Sequence, residues 1–372
     1  MNIRKNKIME RTLYLKNKYI KSSLHTIAPY VGKLRPEVVS MLIDKYSSIN
    51  HTIYDPFCGS GTVPLEAWIK GRDAIGVDLN YYAFVLTKAK LFPYQSLDVA
   101  LKHLNKISTL VDSIKNKVNM KNIPKWVSCF FHQKTIKEIM IWMNILLTKK
   151  DFFLISCLLG ILHHQRPGFL SFPSSHGAPY LRSELYPIIE YPEMYEYRNV
   201  YERLYKKVVR TYKAMPTLDF SIKRKVFYRD TQKKSNAEML NNSTIITSPP
   251  YMKSLTYARD NRLRLWFLGH PNWEQLDKRI SVAKLAFSNL MRNCFKSWSD
   301  FQNKGNYCIL VVGDIMFDIT KKQSIPDLIR THAKECNYTL INTFDYPINI
   351  ERKVVKTSSQ IKTEKICVFQ RR

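Results

Sequence analysis

The sequence predicts an α/β fold: one open, mostly parallel seven-stranded sheet covered by helices and interrupted by a mainly helical insertion. Three observations predict it. A strand, a glycine turn and a helix follow one another over residues 52–70, and a second strand and helix follow to about Leu91. The alternation stops over residues 95–222, where the pattern is helical and irregular. It resumes at Val226, where the first of five further short apolar runs brings the strands to seven.

Taken in order, Pro36–Tyr46 reads as a helix opened by proline, with Val39, Leu42, Ile43 and Tyr46 on one face. Thr52–Asp55 is a short strand, Gly59–Gly61 a tight turn, and Val63–Lys70 a helix closed by Gly71. Ala74–Asp78 is the second strand. Within the insertion, Ile136–Leu147 and Phe152–Leu162 read as buried helices, and residues 165–180, rich in Pro, Ser, Gly and His, as a loop. Tyr197, Tyr201, Leu204, Val208 and Tyr212 form a helical stripe. Val226–Asp230 and Ser243–Ile246 are strands, and Leu263–Leu268 and Leu276–Trp298 are helical. Asn306–Val312 is a buried strand ending at Gly313, and Tyr338–Phe344 and Lys365–Gln370 are the last two strands.

Apolar residues make up 45% of the 372 and aromatics 12%, enough for a full core, which excludes a mostly disordered or collagen-like chain. Lys and Arg number 59 against 30 Asp and Glu, a formal charge of +29. Such an excess costs self-repulsion on folding and normally answers a polyanion. An AT-rich genome would also raise Lys, Asn and Ile, but it would not by itself keep the acids this low. A nucleic acid is the expected partner. The seven cysteines show no CxxC and no zinc spacing, so they read as reduced thiols of a cytoplasmic protein, with no metal expected. The longest apolar run, Phe152–Leu162, is too short to span a bilayer, and no membrane association is expected.

Two constellations carry chemistry. The first is Asp55-Pro56-Phe57-Cys58-Gly59-Ser60-Gly61-Thr62, between a strand and a helix. Its glycines let the backbone turn sharply and let a ligand approach the peptide plane. Asp78 ends the next strand, 23 residues after Asp55, where an acid ordinarily accepts hydrogen bonds from ribose hydroxyls. The arrangement argues for an adenosine-containing cofactor. It departs from the dinucleotide fingerprint, because the third glycine is missing and Pro64 lies in the helix start.

The second is Thr247-Ser248-Pro249-Pro250-Tyr251, just past a strand. Adjacent prolines remove two backbone donors but keep their carbonyls, so the turn presents acceptors in a rigid frame, with a hydroxyl before and an aromatic face after. A planar exocyclic amine fits this inventory. Its hydrogens would go to Ser248 and the Pro249 carbonyl, and its ring would lie against Tyr251.

On these residues the chain resembles the S-adenosylmethionine-dependent amino methyltransferases of DNA. The octet matches their cofactor loop, and Ser248-Pro249-Pro250-Tyr251 matches the catalytic motif typical of the N4-cytosine group; the N6-adenine group more often has an acid or Asn in place of Ser248. Asp230 ends a strand where the family places an acid near the cofactor adenine, and Tyr257–Gly269 and Tyr30–Pro36 resemble segments of prokaryotic modification methylases. The resemblance covers about two-thirds of the chain. It implies a Rossmann-like class I methyltransferase fold that binds S-adenosylmethionine through Asp55, Pro56, Phe57, Cys58, Gly59, Ser60, Gly61, Thr62, Asp78, Leu79 and Asp230. Catalysis would fall to Ser248, Pro249, Pro250 and Tyr251. It divides the chain into a basic arm (1–24), a catalytic domain (25–94 and 223–372) and a target-recognition insertion (95–222). The cofactor loop precedes the catalytic motif, as in the arrangement called α, so adenine stays open beside cytosine.

The implied partner is double-stranded DNA, with a cognate restriction endonuclease possible and monomer or dimer open. Reaching an amine inside a duplex requires flipping the nucleotide, which costs a few kcal/mol. In the insertion, Arg166, His176 and Arg182 are the residues read as touching DNA or the flipped base; capped core histidines are the plainer reading of that loop. An RNA guanine-N2 methyltransferase is a rival, since some tRNA enzymes share the loop, and a basic DNA-binding protein that has lost catalysis is a non-enzyme rival.

Overall fold

The computed structural model describes residues 19–114, 120, 122–232, 240–250, 256–280, 283–318, 323–347 and 363–372. The elements are α1 (Pro36–Tyr46), β1 (Thr52–Asp55), α2 (Thr62–Ile69), β2 (Asp73–Asp78), α3 (Tyr81–Leu91), α4 (Leu97–Ile114), α5 (Gln133–Lys149), α6 (Phe152–Gly160), α7 (Val200–Tyr212), β3 (Arg224–Tyr228), β4 (Ser243–Thr247), α8 (Arg262–Phe267), α9 (Trp273–Ile280), α10 (Lys284–Phe301), β5 (Tyr307–Gly313), β6 (Met316–Asp318), β7 (Gln323–Ser324), α11 (Ile325–Glu335), β8 (Tyr338–Pro347) and β9 (Thr363–Arg371). All seven expected strands of the main sheet are present, in the order β3-β2-β1-β4-β5-β9-β8, and β6 and β7 form a separate two-stranded ribbon. The stretch expected as one helix over Leu276–Trp298 is two, α9 and α10, because Ala283 takes an extended N-cap conformation at φ −66°, ψ 163°.

Strands β1 to β5 run parallel, and only β9 is antiparallel to its neighbours β5 and β8. Alternation along the short strands splits the core between the two faces. In β1, Ile53 packs with Val39, Leu42 and Ile43 of α1, whereas Tyr54 packs with Phe295 and Trp298 of α10 on the opposite face. The sheet is thus the middle of three layers.

The helices of residues 97–212 share one contiguous core with α2 and α3. Leu65, Trp68, Tyr82, Val85 and Leu86 pack with Leu104, Trp142, Leu154, Leu158 and Leu204. Each such buried side chain contributes roughly 1.5–3 kcal/mol. In α4 the buried residues are Ala100, Leu104, Ile107 and Val111, a helical stripe that faces this core. Residues 1–18 of the expected arm lie outside the described residues, but its end is packed: Leu24 and His25 are buried, and the Tyr19 hydroxyl donates to Glu66 Oε1 of α2 at 2.7 Å. His25 Nε2 reaches the same oxygen at 2.7 Å. No described helix is long and apolar enough to cross a membrane.

Candidate cofactor loop and amine pocket

Strand order reverses between β1 and β4, so the crevice at their C-terminal ends is where a doubly wound sheet takes its ligand. Asp55 ends β1 and Thr247 ends β4. The Thr247 hydroxyl donates to Asp55 Oδ1 at 2.5 Å, and the Phe57 backbone N–H donates to the same oxygen at 3.2 Å. Burial dominates the Asp55 carboxyl and raises its pKa to about 7, against the lowering effect of these two donors.

The glycine turn is locked from below. Gly59 and Gly61 hold φ of +48° and +73°, the left-handed region that glycine adopts without cost. A Cβ on Gly61 would sit 2.7 Å from Thr87 Oγ1 of α3. The Cys58 N–H donates to the Val77 carbonyl at 3.0 Å, and the Thr87 hydroxyl donates to the Gly59 carbonyl at 3.2 Å. Lys90, fully buried on α3, donates from Nζ to the Ser60 carbonyl. Cys58 is buried against Thr87, and burial pushes its thiol well up, so its side chain packs and only its backbone belongs to the outer face of the turn.

Asp78 joins the turn to β2. Its Oδ2 accepts the Gly59 N–H at 2.8 Å, its Oδ1 accepts the Asn80 N–H at 2.8 Å, and Leu79 N–H donates as well. Burial raises its pKa to about 6, opposed by these donors. The end of β3 is brought alongside by the Arg229 N–H, which donates to the Asp78 carbonyl at 3.1 Å. Asp230 follows there, half-buried, accepting from Gln232 N–H at 3.0 Å. On the β4 side, Pro249 is buried and Ser248 and Pro250 are half-buried, while Tyr251 lies outside the described residues.

Arg166, His176 and Arg182 come together around one cavity of about 420 Å³ in the insertion. Thr87, Lys90 and Tyr30 escape a reading of the motifs alone. Thr87 and Lys90 sit one turn apart on a helix that carries no motif, and Tyr30 backs Gly59 with its Cε1 3.3 Å from where a Cβ would stand. Among the described residues no group of three or more His, Cys, Asp or Glu could hold a metal ion.

Residues 12–88, which include the glycine turn and Asp78, match the family model of DNA methylases of the N6 and N4 type. Type II methyltransferase M.MjaII of Methanocaldococcus jannaschii is 29% identical over 107 residues, 28% of this chain and 20% of that protein. Type II methyltransferase M.BsoBI of Geobacillus stearothermophilus is 33% identical over 106 residues, 27% of this chain and 20% of that protein. The chain thus covers about a fifth of the length of either relative. TrmN from Thermus thermophilus aligns over 94% of this chain and 52% of its own, at 10% identity and a TM-score of 0.35, too low to bear on function.

The methyl donor of such enzymes is S-adenosylmethionine, and the residues present fit it. A carboxylate offers about four acceptor positions. Three at Asp78 are taken by backbone N–H groups, which leaves room for a ribose hydroxyl. The buried Nδ2 of the adjacent Asn80 has no partner within the protein. The glycine turn, its acid and the methylase match fall on the same residues, so over residues 12–88 the chain is similar to the amino methyltransferases of DNA.

Proposed function

We propose that the protein transfers a methyl group to an exocyclic amine of a flipped DNA base, N4 of cytosine in a specific sequence. The observation that carries this reading is the Thr247–Asp55 hydrogen bond at 2.5 Å, which sets the residue before Ser248 against the first residue of the cofactor loop.

S-adenosylmethionine, when bound, supplies an electrophilic methyl on a sulfonium. The protein's part is positioning. An amine conjugated to a pyrimidine is a poor nucleophile, since its lone pair is delocalised into the ring. Ser248 Oγ and the Pro249 carbonyl would accept the two amine hydrogens and draw them out of the ring plane, which localises that pair. Fixed acceptors of this kind supply rate by orientation and preorganised dipoles, with no covalent intermediate. Tyr251 would stack on the base, offsetting on the order of 1–3 kcal/mol of the flipping cost. Ser248 in the first position favours cytosine. The order of the two motifs along the chain keeps adenine N6 as the second reading.

Duplex DNA incubated with methyl-labelled S-adenosylmethionine tests this. Label is expected in the DNA, and Ser248→Ala should abolish it while cofactor binding by calorimetry persists. Bound cofactor with no label transferred by the wild type would overturn the proposal.

A further inference from the structure

The cavity in the insertion is a built site. Arg182 N–H donates to the Pro173 carbonyl and Ser175 N–H to the Tyr180 carbonyl, each at 2.9 Å, closing the loop on itself. From behind, the buried Arg198 donates to the carbonyls of Phe169 and Ser171. Arg166, Arg182, His164, His176, Ser175 and Tyr180 line the space, and no carboxylate lines it among the described residues.

His164 accepts the Arg166 N–H on Nδ1 at 3.1 Å. Burial first, then the neighbouring His176, Arg166 and Arg182, lower its pKa to about 4. At neutral pH the ring is uncharged, and its one proton sits on Nε2 as a donor. The charged walls therefore offer donors. A base edge is neutral and mixes donors with acceptors, and a guanidinium accepts none of those donors. A phosphodiester brings only acceptor oxygens and a negative charge, which paired guanidiniums grip in a fork. The loop is also fastened to α8. Arg262, which opens α8 shortly after Tyr251, donates to the Pro179 carbonyl at 2.5 Å and lies 4.7 Å from the Tyr180 ring centroid.

We propose that this cavity binds one backbone phosphate of DNA through Arg166 and Arg182, with His164 Nε2–H as a third donor. The inference rests on the reading of DNA as substrate.

The test measures binding of a short mixed-sequence duplex by anisotropy across a salt series. Relative to wild type, Arg166→Gln with Arg182→Gln should weaken binding at low salt by at least about tenfold. It should also flatten the slope of log Kd against log salt by roughly 0.9, one phosphate's worth. Cofactor affinity by calorimetry should be unchanged. An unchanged slope overturns the site. Should the double Gln variant lose cofactor binding, Arg166→Lys with Arg182→Lys decides: weaker binding at an unchanged slope supports a bidentate grip, and wild-type affinity overturns it. Label transfer by the wild type separates the two ideas. If DNA is labelled and the slope does not move, the phosphate site falls and the methyltransferase reading stands. If no DNA is labelled and the slope still flattens, the methyltransferase reading falls and the phosphate contact stands.

Discussion

The Thr247 hydroxyl donates to Asp55 Oδ1 across 2.5 Å, tying the last residue of β4 to the last residue of β1 where the strand order reverses. One bond between residues 192 apart in sequence thereby ties the start of the Ser248–Pro250 turn to the start of the glycine turn after β1.

Asp55 should make stability pH-dependent in a definite direction. Its carboxyl keeps its proton to about pH 7 in the fold, whereas in the unfolded chain it loses that proton near 3.8. Between those values the native state binds more protons than the unfolded state, so the wild type loses stability as pH rises. Asp55→Asn keeps the acceptor for Thr247 but cannot ionise. The melting temperature of the Asn variant relative to wild type should rise between pH 5 and about 7 and then level off; a constant difference would refute the buried, proton-bearing Asp55.

Asp78 accepts a backbone N–H on each oxygen. Asp78→Asn would turn its Nδ2 toward the N–H of either Gly59 or Asn80, donor against donor. Calorimetry should find cofactor affinity reduced nearly as much by Asn as by Ala. A mild Asn variant would mean that the carboxylate is not what anchors the turn.

Lys90 carries a buried amine whose burial lowers its pKa well below the ordinary value, and it holds the Ser60 carbonyl. Lys90→Met fills the space without the desolvation cost of an amine. Its melting temperature should be no lower than wild type while cofactor affinity falls several-fold; unchanged affinity would make Lys90 irrelevant to the turn.

Gly61 combines a left-handed backbone with van der Waals overlap for any Cβ against Thr87. Gly61→Ala should cost on the order of 1–3 kcal/mol of stability, read by denaturant unfolding, and weaken the cofactor. An Ala variant as stable as wild type would show that the turn is not locked as described.

The seven strands were legible because each is a short apolar run bounded by turn residues, and the glycine turn and Ser248–Pro250 follow strand ends as the sequence reads. Strand order was not, since pairing such as Tyr54 with Ile245 is set by long-range packing that no local pattern encodes. Lys90 was hidden for a related reason. A lysine on a helix reads as solvated until tertiary contacts bury it, and its partner Ser60 lies 30 residues away. The division of Leu276–Trp298 went unseen because the apolar period runs on through it. Arg166, His176 and Arg182 were visible as a polar loop, but their convergence on one cavity follows from backbone bonds such as Arg182 to Pro173.

Nucleoside mass spectrometry of duplex DNA methylated in vitro tests the central claim most directly, since it names the base and the atom together. The account predicts N4-methylcytosine, absent from the Ser248→Ala reaction. N6-methyladenine would contradict the choice of base, and 5-methylcytosine or unmodified DNA would contradict the amine pocket itself.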